Sequence, residues 1–88
     1  MKLKYELEIV NMGDEMIAVP VGEGANQLHG VLKLNKEGAE ILELLKRETS
    51  EKEIVESLAQ KYENNIDSLQ GLVTKFIERL QTYELLEN

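Results

Sequence analysis

The sequence predicts an α+β fold, a three-stranded antiparallel sheet followed by a three-helix bundle, and three observations predict it. Apolar residues recur at period two through the first third of the chain: Tyr5, Leu7 and Ile9, then Ile17 and Val19, then Leu28, Leu32 and Leu34. At Asn35 the period becomes helical, with Gly38, Ile41, Leu42 and Leu45 on one side. Two further amphipathic segments follow, each opened by a capping sequence, Ser50 with Glu53 and Asp67 with Gln70. Strands gathered ahead of helices are the order of an α+β domain, not of alternating βαβ units.

The first strand sets Tyr5, Leu7 and Ile9 against Glu6 and Glu8, giving one apolar and one charged face. Gly13-Asp14-Glu15 supplies a turn. The second strand runs from Met16 to Val19 with Ile17 and Val19 as its expected buried residues, and Pro20 ends it for want of an N–H. Gly22, Gly24 and Asn26 mark a loop. The third strand spans Leu28 to Leu34 and passes through Asn35, a good N-cap, straight into the first helix.

Arg47-Glu48-Thr49 connects that helix to the second, whose apolar stripe is Ile54, Val55, Leu58, Ala59 and Tyr62. Asn64-Asn65 stops it, and Ile66 is placed to staple the third helix. There Leu69, Val73, Phe76 and Leu80 form the expected buried line, flanked by Leu72 and Ile77. Tyr83, Leu85 and Leu86 carry more apolar surface than a free tail would and are expected to pack back onto the core. With short connections and no linker or repeat, residues 1–88 read as a single winged-helix-like domain.

Eighty-eight residues suffice for one modest core but not for a deep cleft with independent walls, which weighs against an enzyme. A net charge of −7, with the basic residues spread along the chain, repels a nucleic-acid backbone. The absence of cysteine removes disulfides, thiolate nucleophiles and cysteine-based metal sites, and a single histidine argues against a conventional zinc site. The N-terminal MKLKYELEIV lacks the continuous apolar core of a signal peptide, and no window is long enough to span a bilayer. A cytoplasmic protein is expected.

No catalytic residue, cofactor site or metal site emerges. Gly22-Glu23-Gly24 lacks the Gly-Lys-Ser/Thr of a phosphate loop, the carboxylates lie on expected solvent faces, and His29 has no nucleophile or acid near it in sequence. Two features remain. Lys75 and Arg79 stand one turn apart beside Leu72 and Phe76, which is either a solvated face with snorkelling stems or a flank for an anionic or amphipathic partner. In a meander the first and third strands are edges; Glu6 and Glu8 guard the first, whereas the third carries His29, Gly30, Val31 and Lys33. That third edge either accepts an added strand or lies beneath the loop from Gly22 to Asn26.

The segments LKLNKEGAEILELL, SEKEIVESLAQKYE and FIERLQTYELLE together resemble the PqqD family. Its pattern is a strand ending in Leu-Asn, a glycine near the helix start and an Ile-Leu-x-Leu-Leu segment. A Glu-Ile-x-x-x-Leu helix with a late tyrosine follows, then a final helix before a Leu-Leu terminus. The resemblance covers Leu28 to Glu87. It implies a non-catalytic peptide chaperone, a recognition element that binds the leader segment of a ribosomally made precursor peptide. The leader adds as a strand to the third strand, packs into a groove against the third helix, and is received by a modifying enzyme, often of the radical SAM type. Carried onto this chain, the edge is Leu28, His29, Gly30, Val31, Leu32, Lys33 and Leu34, and the groove wall is Leu72, Lys75, Phe76 and Arg79. Two other classes stand beside it: a winged-helix nucleic-acid-binding protein, in which Ser50 to Tyr62 and the third helix form a helix-turn-helix, and a structural subunit of an enzyme complex.

Overall fold

A computed structural model describes residues 1–22, 32–62 and 65–87. In chain order the elements are β1 (Lys2–Leu3), β2 (Leu7–Met12), β3 (Glu15–Pro20), β4 (Leu32–Leu34), α1 (Lys36–Leu44), α2 (Glu51–Tyr62), α3 (Ile66–Thr82) and β5 (Leu86–Glu87). Strands β2, β3 and β4 pair antiparallel in that order and the three helices follow, as the α+β reading requires. The expected third-strand residues Leu28 to Val31, the loop glycine Gly24 with Asn26, and the helix stop at Asn64 lie outside the described residues.

The β2–β3 hairpin sets the register of the sheet. Gly13 and Asp14 form a two-residue turn, and Gly13 has φ +73°, the sign that a type II′ turn demands of its first central residue. Met12 therefore pairs with Glu15, Ile9 with Ala18 and Leu7 with Pro20. Because side chains alternate, the face carrying Leu7 and Ile9 also carries Ala18 and Met16, opposite Leu32 and Leu34 of β4. Ala18 is buried at 1% exposure, and α1 packs against β3 and β4. Ile17 and Val19, expected inside, lie half-buried on the outer face. The larger side chains suggested the wrong phase, and a one-residue shift exchanges the faces.

Helix starts follow their caps. Asn35 Oδ1 accepts the Gly38 N–H at 2.7 Å, opening α1. Ser50 Oγ accepts the Glu53 N–H and donates to the Glu53 carboxylate, both at 3.2 Å. For α3 the cap is Asn65, which accepts from the Asp67 N–H at 2.7 Å, so the Asp67–Gln70 capping expected from sequence is displaced by two residues. Asp67 instead places its negative charge in the first turn, near the positive end of the helix dipole. Ile66 is 62% exposed and is the first residue of α3, inside the Asn65 cap and not ahead of it as a staple requires.

The phase of α3 also differs from expectation. Its buried residues are Leu69, Val73, Ile77 and Leu80, while Phe76 is only half-buried. These join Ile41, Leu42, Leu45, Ile54, Val55 and Leu58 in one core between the helices and the inner sheet face. Tyr62 packs at the edge of that core with its ring near the Lys36 and Lys61 ammonium groups, 5.9 Å from each to the centroid. Its hydroxyl has no hydrogen-bond partner among the described residues, and burial, reinforced by the Glu40 carboxylate, raises the phenol above its usual pKa.

Both ends of the chain are tied to the helices. β1 and β5 form a two-stranded sheet in which Leu3 pairs with Leu86, and the Leu3 N–H donates to the Leu45 carbonyl at 2.9 Å. Met1 and Thr49 exchange backbone hydrogen bonds at 2.8 and 2.9 Å. Strands of two residues have no readable period, so this sheet is invisible to pattern alone. Leu85 is buried as expected, and Leu86 partly so, but Tyr83 is 53% exposed. No described helix is long and apolar enough to cross a membrane.

The end of α3 yields a stability prediction. Leu85 N–H bonds to the Leu80 carbonyl at 2.9 Å and Glu84 N–H to the Gln81 carbonyl at 2.9 Å, the two bonds of a Schellman motif. Its left-handed residue is Glu84, at φ +57°. A glycine avoids the steric cost of that conformation, so Glu84→Gly is expected to stabilise the domain by about 1 kcal/mol in urea denaturation. Destabilisation by the same variant would mean that the cap is not in this conformation in solution.

Candidate functional site: a cavity between the sheet end and the third helix

The inward phase of Leu69, Val73, Ile77 and Leu80 leaves Phe76 half-buried at the edge of the core and turns Arg79 outward. They meet the end of β4 and the start of β3 in a cavity of about 420 Å³, lined by Asp14, Glu15, Met16, Lys33, Leu34, Asn35, Phe76 and Arg79. Its apolar floor is Met16, Leu34 and Phe76, from three different elements. A second cavity, of about 460 Å³, lies beside β1 and the start of β2, lined by lysines, glutamates and Tyr5.

Of the site residues expected from sequence, four meet in the first cavity: Lys33, Leu34, Phe76 and Arg79. Leu32 is buried in the core at 8% exposure, so its side chain faces α1 and the other helices. Leu72 is half-buried against the core and Lys75 is exposed; neither lines the cavity. Leu28, His29, Gly30 and Val31 fall outside the described residues. Among the described residues β4 pairs on one side only, with β3.

Four lining residues were not foreseen: Asp14, Glu15, Met16 and Asn35. Hairpin counting could have found Met16, since a two-residue turn fixes its inward phase; its meeting with Leu34 needs the fold. Asp14 and Glu15 alter the electrostatics, since two acids share the lining with Lys33 and Arg79. Neither basic residue forms an ion pair among the described residues. The lining therefore combines apolar Met16, Leu34 and Phe76 with two basic and two acidic residues, and is suited to one apolar side chain of an extended segment with charged neighbours.

Gly38 supports this arrangement from behind. A Cβ built on Gly38 would stand 3.0 Å from Phe76 Cε1 and 3.1 Å from Asn35 Oδ1. The phenylalanine edge thus rests on bare backbone, in a helix where glycine costs about 1 kcal/mol relative to alanine. Among the described residues no three His, Cys, Asp or Glu side chains converge to hold a metal ion.

A family model described as Coenzyme PQQ synthesis protein D (PqqD) matches residues 15–86. Among solved structures, TbiB1 in complex with the TbiA(β) leader peptide matches with a TM-score of 0.73 at 23% identity, covering 100% of this chain and 96% of TbiB1. That likeness establishes the shared fold. No curated protein matches the chain significantly.

Proposed function

We propose that this chain, which belongs to the PqqD family, binds the leader segment of a ribosomally made precursor peptide and presents it to a modifying enzyme. The observation that carries the reading is the cavity joining the end of β4, a strand paired on one side only among the described residues, to Phe76 and Arg79 of α3. Its fold is shared with a protein solved with a leader peptide bound, which supports the same use here.

The mechanism is strand addition. A leader laid along the edge from Leu28 to Leu34 exchanges main-chain hydrogen bonds with it, which give affinity with little regard to sequence. Alternate side chains then turn toward α3, and the one reaching Met16, Leu34 and Phe76 is the apolar anchor. Lys33 and Arg79 favour an acidic residue beside that anchor, and Asp14 and Glu15 a basic one. The role is non-catalytic and set in the cytoplasm, and the receiving partner is a modifying enzyme, of the radical SAM type or another. A nucleic-acid role gains nothing from α3, where Lys75 and Arg79 alternate with Asp67 and Glu78.

The test is an NMR titration of the labelled chain with the leader of a short peptide encoded beside its gene. Shifts are expected at Met16, Lys33, Leu34, Phe76 and Arg79. Arg79→Glu is expected to lower affinity about fivefold at low salt and less at high salt, because a rim charge is screened. A folded spectrum that stays unshifted, with the modifying enzyme absent and then present, would remove the reading.

A further inference from the structure

We propose that Gly38 is a positioning residue that holds the cavity open by giving the Phe76 ring a place to rest; the inference builds on the peptide-binding reading above. Gly38 is buried in the first turn of α1, and no positive φ accounts for a glycine there. The Asn35 cap is already satisfied through the Gly38 backbone N–H, which any residue but proline supplies. What distinguishes the position is the space its missing side chain leaves. Phe76 Cε1 and Cζ would lie 3.0 and 3.4 Å from a Cβ at residue 38, the first of these closer than an ordinary contact.

One of the two partners must then yield. Asn35 is held by its hydrogen bond to the Gly38 N–H, whereas Phe76 is half-buried with the cavity on its open side. The ring therefore moves toward Lys33, Leu34 and Arg79, into the space where the anchor of the leader belongs. Gly38 touches no ligand itself; it sets the size of the anchor through Phe76. A larger residue at 38 selects a smaller anchor, and glycine admits a bulky one.

The experiment compares the intact chain with Gly38→Ala, Phe76→Leu and the double variant. Two quantities are measured: the affinity of the synthetic leader, and NOE contacts from residue 76 to residue 38 and to the Leu34 side chain. In Gly38→Ala the ring is expected to gain contact with Leu34, and leader affinity to fall about tenfold, the scale of misfit by a methyl group or more in an apolar pocket. The double variant, with the ring edge removed, is expected to bind within about threefold of Phe76→Leu alone. The ring contacts need no leader. If the natural chain binds no leader but the ring still moves, the peptide reading fails and the steric role of Gly38 stands. A ring that stays in place, or a displaced ring with unchanged affinity for a leader that the natural chain binds, overturns the proposal. So does a Gly38→Ala chain that fails to fold, since the glycine then serves the core.

Discussion

Leu80→Ala is expected to cost about 3 kcal/mol of folding stability, read as a lowered urea midpoint at unchanged slope. Leu80 is 0% exposed, sits in the common core, and its carbonyl receives the Leu85 N–H that closes α3. Truncation leaves a cavity that the surrounding core refills only in part, so the loss exceeds the transfer energy of the deleted atoms. Against a domain stability of about 5–15 kcal/mol this is a large fraction. Arg79→Ala, one residue earlier and exposed, is expected to stay within about 0.5 kcal/mol of the natural chain. The contrast measures the rotational phase of α3, and that phase directs Phe76 and Arg79 into the cavity. Equal effects at the two positions would mean that the phase is wrong, and the cavity with it.

Phe76→Ser is expected to lower leader affinity about thirtyfold, or about 2 kcal/mol, the scale at which an aromatic anchor dominates an interface. The ring supplies the α3 side of the apolar floor that Met16 and Leu34 complete. Because Phe76 is only half-buried, the stability loss should be smaller than that of Leu80→Ala, and circular dichroism should show a folded chain. Val10→Ser provides the comparison: Val10 lies on the outer sheet face, 38% exposed, and its substitution is expected to leave affinity unchanged. Calorimetric titration of the three proteins decides the matter. Natural affinity in Phe76→Ser would place the leader elsewhere on the molecule.

The two halves of the candidate site were not equally legible in the sequence. Lys33 and Leu34 could be named because an alternating segment ending at an N-cap announces a strand edge running into a helix. Phe76 fits both the flank and the expected buried line by period, and the structure gives it to the cavity lining while Ile77 takes the buried position. Adjacent apolar residues on a helix differ by about 100° in direction, and local pattern does not decide which turns inward when both are large. The acids of the lining, Asp14 and Glu15, read as part of a turn, and nothing local shows that this turn faces a helix far along the chain.

Period, and hydrogen bonds within a few residues, are enough to read the α+β class, the order of the main strands before the helices, the caps at Asn35 and Ser50, and most of the core. The tertiary structure decided the inner face of β3, the phase of α3, the pairing of β1 with β5, and the composition of the cavity. For β3 and α3 two nearly equivalent faces compete to leave water, and for the β1–β5 pair and the cavity residues far apart in sequence must meet; both are decided by the packing of the whole chain.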